Sequence, residues 1–241
     1  MAFVLSYKSV AQTSTVKEEL TKAQSLVQQG NKTEASKVYT DIMEKYPDNR
    51  EAVMGWLMIN ASGEEEGIKR LEELEKLYPK NTAILFFKGF WLAENKHYEE
   101  ALTTNEKLIT LQPDSAINWL MKGQILEFMN NFEEALIAYD KAISLDSNNS
   151  DAWQNKAGLL AKTNKLDEAI YSYDRAIQLA PSQPVFIYNR GCVYCRKGDK
   201  INALADLKKA ISMNPSFKEN ATRDEDFKSL WDDEDFKKLT L

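Results

Sequence analysis

Glycine, proline, cysteine and histidine are all scarce in this 241-residue chain, at 9, 6, 2 and 1. So little glycine and proline excludes collagen and low-complexity disorder, and it does not supply the turns of a β sandwich. The two cysteines are too few for a disulfide framework. Cys192 and Cys195 stand three apart, and bridging them on one helix would strain the geometry, so a reducing, cytoplasmic setting is expected. Basic blocks are also missing: Lys and Arg sum to 31 against 37 Asp and Glu, for a net charge of -6. Without a phosphate-neutralising surface, nucleic acid is not an expected partner. The longest apolar runs, Ala83 to Phe87 and Trp56 to Ile59, fall far short of the ~20 residues that cross a bilayer. The opening stretch has an apolar patch at Phe3-Val4-Leu5 but no basic residue ahead of it, so it does not read as an export signal.

What is present is 43% hydrophobic and 28% charged, the balance of a helical soluble protein. The length exceeds one ordinary core of ~150 residues, so two domains or one elongated array are expected. An internal period favours the array. Gly55, Gly89, Gly123, Ala157 and Gly191 are each 34 apart, as are Ala101, Ala135, Ala169 and Ala203, and Pro79, Pro113, Ser147, Pro181 and Pro215. Ala35, Tyr39, Ile42 and Pro47 fit the same internal spacing but precede their successors by 32, which puts a two-residue deletion in the second repeat or its linker. Within a unit, Trp153, Ala157 and Leu160 mark the stripe of one amphipathic helix, and Leu166, Ala169, Ile170, Tyr173 and Ala176 that of a second. Thr163 to Lys165 separate the two, and Pro181 stops the second. Small residues at the recurring Gly and Ala positions permit close helix approach, while Trp119, Trp153, Tyr139 and Tyr173 fill the space between units.

The unit resembles the tetratricopeptide repeat, whose signature is Trp-x2-Leu-Gly-x2-Tyr followed by Ala, Phe and Pro. Residues Ile117 to Gly123 with Ala135, Tyr139 and Ala142 fit it well. Ala157 replaces Gly in the fifth unit, Ile187 and Leu207 replace aromatics in the sixth, Asn105 fills an aromatic position in the third, and Gly67 stands where Ala is usual in the second. The resemblance implies an all-α, right-handed superhelical solenoid of stacked helix-turn-helix repeats. The expected organisation is an N-terminal extension (1–15), six repeats (16–47, 48–81, 82–115, 116–149, 150–183, 184–217) and an acidic C-terminal capping segment (218–241). In the last, DEDFKSL recurs as DEDFKKL, and Phe227, Leu230, Trp231, Phe236 and Leu239 are available to cover the final apolar stripe.

Chemistry is thinly represented. His97 falls in an inter-helix turn, three repeats from the cysteines, so no Ser-His-Asp or Cys-His arrangement assembles. Cys192-x-x-Cys195 lacks further zinc ligands nearby and sits inside a helix, so ordinary packing on the helix surface is expected. Glu64-Glu65-Glu66 points around a helix start rather than converging, and neither a calcium loop nor a glycine-rich phosphate loop occurs. No catalytic residue, metal site or cofactor is expected, and the chain is not read as an enzyme.

The resemblance implies that first helices line a concave groove, at Ala52 and Trp56; Phe86, Phe87 and Phe90; Leu120, Met121 and Gln124; Gln154 and Asn155; and Tyr188, Asn189 and Cys192. The subtype that grips chaperone carboxylates is disfavoured, because Leu120, Val185 and Asn189 stand where cations belong and only Asn155 is in place. The expected function is a scaffold or adaptor that binds a peptide or amphipathic segment of a partner protein, anchored by Trp56, Phe86, Phe90 and Leu120, with Gln124, Gln154, Asn155, Tyr188 and Asn189 as polar contacts. The alternative is a self-associating array, a homo-oligomer joined through the groove or an end repeat. The N-terminal segment, with Phe3, Val4, Leu5 and Tyr7, is a further candidate to fold back into the groove.

Overall fold

The apolar periodicities materialise as helices throughout. The computed structural model describes residues 2–240, and their side chains except those of residues 2–14 and Glu64. The expectation for Phe3, Val4, Leu5 and Tyr7 therefore lies outside the described side chains. The chain is all-α, with no strand among the described residues. It divides into two compact units, Met1–Asp114 and Ser115–Leu241. Each stacks consecutive helix pairs in the manner of a helical-repeat solenoid.

The first unit holds α1 (Ala2–Gln28), α2 (Lys32–Lys45), α3 (Arg50–Asn60), α4 (Glu64–Leu77), α5 (Thr82–Glu94) and α6 (Tyr98–Leu111). The second holds α7 (Ala116–Phe128), α8 (Phe132–Leu145), α9 (Ser150–Lys162), α10 (Leu166–Leu179), α11 (Pro184–Lys197), α12 (Lys200–Met213), α13 (Phe217–Ala221), a 3-10 turn (Glu225–Leu230) and α14 (Glu234–Thr240). Helix starts follow from local chemistry. Asn49, Asn81 and Asn149 each accept from the backbone N–H three residues on, at 2.8, 3.0 and 3.0 Å, satisfying a donor that the first turn leaves open. Turns within pairs repeat as well: Gly30, Lys96, Asn130, Asn164 and Gly198 all take the left-handed conformation, with φ between 61° and 82°.

In the second unit each pair closes on itself. Ala135, Ala169 and Ala203 are fully buried at the helix crossings. Tyr139 lies over Gly123 of its own pair, and the Ala203 carbonyl and Asp206 Cβ approach Gly191. Arg190 donates from Nε and Nη2 to Asp206, both at 2.7 Å, and from Nη1 to Asp174, tying α11 to α10 and α12. The acidic end then folds over α11 and α12: Phe227, Leu230 and Phe236 are buried with Tyr188, Leu207 and Phe217 in one cluster. The Trp231 indole donates to the Ala221 carbonyl at 3.2 Å.

The second pair breaks the rule. Helix α3 has 11 residues where α5, α7 and α9 have 13. Counted from the cap, Ala52, Val53 and Leu57 are buried where Ile84, Leu85 and Gly89 are, so the first half of α3 keeps the common register and the two missing residues lie after Leu57. Leu57 thus stands at the helix crossing where Gly89, Gly123, Ala157 and Gly191 admit close approach. Helices α3 and α4 consequently scarcely meet, while α4 packs along α5. The turn between them has no left-handed residue. Instead Glu66 accepts from the Ser62 N–H at 2.8 Å and from the Ser62 hydroxyl.

A complementary pair of exceptions holds α4 in its place. Trp91 occupies the position at which Ile125, Leu159 and Val193 are buried aliphatics, and Gly67 the position of Ala101, Ala135 and Ala169. A Cβ on Gly67 would fall inside the Trp91 ring. Glu75 adds a polar tie, accepting from Lys88 of α5 at 2.7 Å and Lys107 of α6 at 2.9 Å. Burial alone would raise its carboxyl, but the two lysines outweigh it and hold Glu75 below the usual range.

Candidate functional site

Counted from the cap, Met58 falls in the row of Phe90, which is 43% exposed, and of exposed Gln124, and Met58 itself is 77% exposed. Gly55 is met by Tyr39 of the preceding pair, where Gly123 is met by its own pair's Tyr139. The face that carries Met58 opens a cavity of about 550 Å³ between α1 and α3. Val27, Met54, Met58, Ile59 and Phe87 supply its apolar walls, together with Tyr39 and Gly55. A second hollow of about 300 Å³ lies on the other side of the two methionines, bounded by Leu57, the turn Ala61 to Gly63, and Trp91.

Polar groups in the main cavity are few. Gln24 donates to Glu51 at 3.0 Å, and Gln28 and Arg50 complete the set. Arg50 lays its guanidinium 3.5 Å from the centroid of the Phe86 ring. Burial depresses its pKa, and Asp48 only partly offsets this. Among the described residues no carboxylate stands within ion-pairing distance of Arg50. The site is therefore mostly apolar and methionine-rich, with the desolvated Arg50 cation and the Glu51 carboxylate at its edge, which suits capture of an amphipathic surface rather than bond-making chemistry.

The expected groove residues are only partly brought together. Trp56 is half-buried and packs against the core of the first unit, and Ala52 is fully buried, so neither faces the cavity. The physical reason is the register: a step of 34 back from Phe86 and Phe90 reaches Ala52 and Trp56, whereas α3 keeps a step of 32 from its cap, which reaches Met54 and Met58. Phe86 is half-buried beneath Arg50, Phe90 is 43% exposed, and of the three phenylalanines only Phe87 lines the cavity. In the second unit Leu120 and Tyr188 are buried and serve packing rather than an open surface. Gln124 is exposed, Gln154 and Asn155 are half-buried, and half-buried Asn189 hydrogen-bonds Tyr173. Met54, Met58, Val27 and Arg50 went unforeseen. The 32-residue step was the signal that could have found the methionines, had it been used to carry Phe86 and Phe90 back to α3.

The cysteines are not on a helix surface, as expected from the sequence, but buried beneath the acidic closing segment. The Tyr188 hydroxyl donates to Asp224 at 2.8 Å, Cys192 reaches the same carboxylate at 3.7 Å, and Cys195 contacts the Ser229 hydroxyl at 3.2 Å. Cys192, Asp224 and Asp226 bring potential ligand atoms within 4.8 Å of one another. Burial, then the two carboxylates, push the Cys192 thiol well above its ordinary range, which keeps it a protonated packing group rather than a thiolate. His97 caps α6 on the surface, 3.6 Å from Glu100.

Comparison with known proteins agrees with this architecture. Among solved structures the chain is similar to pilF of Pseudomonas aeruginosa, at 16% identity and a TM-score of 0.64, covering 91% of this chain and 98% of that one. It is similar to YrrB, described as a TPR protein with an unusual peptide-binding site, at 21% identity and a TM-score of 0.58, covering 77% and 97%. MamA matches at 22% identity and a TM-score of 0.59, covering 64% and 90%. At these identities the likeness is one of fold. No curated protein matches the chain. No helix among the described residues is long and apolar enough to cross a membrane. Models described as tetratricopeptide repeat match residues 20–49, 120–184 and 186–217, more than half of the sequence, and their paired helices are those seen here, so the chain belongs to the tetratricopeptide-repeat family.

Proposed function

We propose that this chain is a non-enzymatic protein-interaction module, a scaffold or adaptor that holds an apolar or amphipathic segment of a partner protein. The observation that carries the reading is the cavity of about 550 Å³ beside α3, lined by the exposed Met54 and Met58. An exposed apolar hollow costs solvation free energy that a monomer has no reason to bear unless something covers it. Support for the non-enzymatic part comes from the titratable groups: the histidine sits on an exposed turn and both thiols are buried. The unbridged cysteines also fit a reducing cytoplasmic setting.

Met54 and Met58 thereby take the place of Ala52 and Trp56 in the expected row, beside Phe87. The test is capture from source lysate with wild type, Met58→Glu and Gln124→Glu as baits, read by mass spectrometry. Binding that survives Gln124→Glu and fails with Met58→Glu is expected. Identical partner sets on all three baits would place recognition elsewhere on the molecule.

A further inference from the structure

We propose that Met54 and Met58 are an oxidation site that closes the recognition cavity: a peroxide converts their thioethers to sulfoxides, and the cavity then releases the apolar or amphipathic segment it holds. The proposal rests on the cavity beside α3 being the place of recognition and adds how that recognition is regulated.

Position singles out these two sulfurs. Met54 and Met58 stand one helical turn apart on α3 and are 37 and 77% exposed. Both line the cavity of about 550 Å³, and both line the hollow of about 300 Å³ on their other side, so they form the ridge between two apolar depressions. The remaining described sulfurs are placed differently. Met43 and Met121 are 1 and 7% exposed, and Met129 is half-buried. Cys192 and Cys195 lie beneath the closing segment, where burial holds both thiols protonated. Met213, 39% exposed, lies on α12 of the second unit and lines neither hollow. An oxidant that reaches the folded chain therefore meets its most accessible thioether where the partner segment sits.

The row to which they belong does not need sulfur for packing. Counted from the helix caps, Met54 and Met58 correspond to Phe86 and Phe90 on α5, Leu120 and Gln124 on α7, Gln154 and Gly158 on α9, and Tyr188 and Cys192 on α11. Among these five helices, thioethers fill the row only on α3. Phenylalanine and leucine give this chain the same apolar wall with no sulfur to oxidise, whereas methionine adds an adaptable side chain together with a reactive lone pair.

The chemistry is a two-electron oxygen transfer. The sulfur lone pair attacks one oxygen of hydrogen peroxide, the O–O bond breaks as the S–O bond forms, and a proton passes to the departing oxygen, which leaves as water. The thioether gains one oxygen and no charge. Its sulfoxide dipole then stands among walls supplied by Val27, Ile59 and Phe87. An apolar side chain seated in the cavity offers that oxygen no donor, so the occupied state buries it unpaired. In the open cavity water reaches it, and Arg50 and Gln28 share the lining as donors. Oxidation thus penalises the occupied state more than the open one, which is the difference in free energy that a switch requires.

The test uses the full chain and, as probe, a peptide selected from a random phage-displayed library on the reduced protein. Protein treated with hydrogen peroxide, then freed of it by catalase, is titrated with the probe by fluorescence anisotropy, each protein being compared with its own untreated form. By peptide mass analysis wild type gains oxygen at Met58 and then at Met54; it keeps its cooperative melt and loses about tenfold or more in affinity. Methionine sulfoxide reductases A and B with a thiol reductant restore the affinity. Met213→Leu shows the same loss, whereas Met54→Leu/Met58→Leu changes by less than about twofold on treatment, and Met58→Leu alone serves if the double variant does not melt cooperatively. Wild type that carries both sulfoxides and keeps its affinity overturns the switch, and a probe that still fails on Met58→Glu then leaves recognition at the cavity standing by itself. An equal loss in Met54→Leu/Met58→Leu puts the sensitive sulfur elsewhere and overturns the assignment, and a loss that comes with loss of the cooperative melt is damage and overturns it as well. Selection that yields no probe sensitive to Met58→Glu overturns both recognition at the cavity and its switch.

Discussion

Replacing Gly67 with alanine gives opposite answers depending on whether Trp91 lies where the structure puts it. In an unobstructed helix interior, glycine to alanine gains about 0.5–1 kcal/mol, because the unfolded chain loses freedom and the helix gains a better former. At Gly67 the new methyl meets the six-membered part of the Trp91 indole, packed against the first unit's core. Overpacking of this kind costs about 1–3 kcal/mol. The net expectation is a loss of about 1 kcal/mol, with the sign reversed relative to an ordinary helix site. In a Trp91→Leu background the position becomes equivalent to Ala101 against Ile125 or Ala135 against Leu159, and Gly67→Ala turns stabilising by about 0.5–1 kcal/mol. The coupling between the two substitutions is then about 2 kcal/mol, large for residues that are not a charge pair.

Urea unfolding followed by circular dichroism measures the four corners of this cycle. Repeat arrays do not always unfold all-or-none, so hydrogen exchange of the α4 and α5 amides locates the change. Gly67→Ala that stabilises the wild-type background by the ordinary helix increment would refute the wedge.

Other expectations follow from the same contacts. Brief peroxide treatment with peptide mass analysis finds Met58 oxidised well ahead of Met43 and Met121, which are 1 and 7% exposed; equal rates would contradict the open face. Arg190→Lys destabilises by about 2–3 kcal/mol in chemical denaturation, since one ammonium replaces a guanidinium that holds Asp206 bidentately and reaches Asp174, and a neutral result would show the network to be idle. Glu75 is held below its unfolded value, so its contribution is fully present above the unfolded pKa of about 4.3 and is lost as pH falls through the lower folded value. Glu75→Gln therefore flattens the acid side of the stability profile, and an unchanged profile counts against the tie. Removing residues 224–241 exposes Cys192 and Cys195, and a thiol reagent that is slow on the intact chain becomes fast.

Most of the architecture was legible because helical repeats write each structural role many times. Ala101, Ala135, Ala169 and Ala203 recur since helix crossings admit only a small side chain there, and all four are fully buried. Phe227, Leu230 and Phe236 announced themselves as too apolar for an acidic tail and are found covering α11 and α12. The site was less legible because the groove residues were transferred by family register, which presumes that every unit presents the same face. Leu120 and Tyr188 failed for a different reason: each is buried where it stands, Tyr188 beneath the closing segment, and a one-unit pattern does not contain that cover.

The second repeat shows how a module built from identical seams acquires one that is different. Two residues lost after Leu57 leave the start of α3 in register and put a leucine at the crossing where the other pairs have glycine or alanine, which holds α4 off α3. Gly67 and Trp91 fasten α4 to α5 through a ring at a position that is aliphatic in α7, α9 and α11. Glu75, shared between Lys88 and Lys107, adds a charge-assisted hold in the same direction. Met54 and Met58 continue the row of Phe86 and Phe90 onto α3, and their exposure at the cavity beside Phe87 is the physical reason for proposing recognition there.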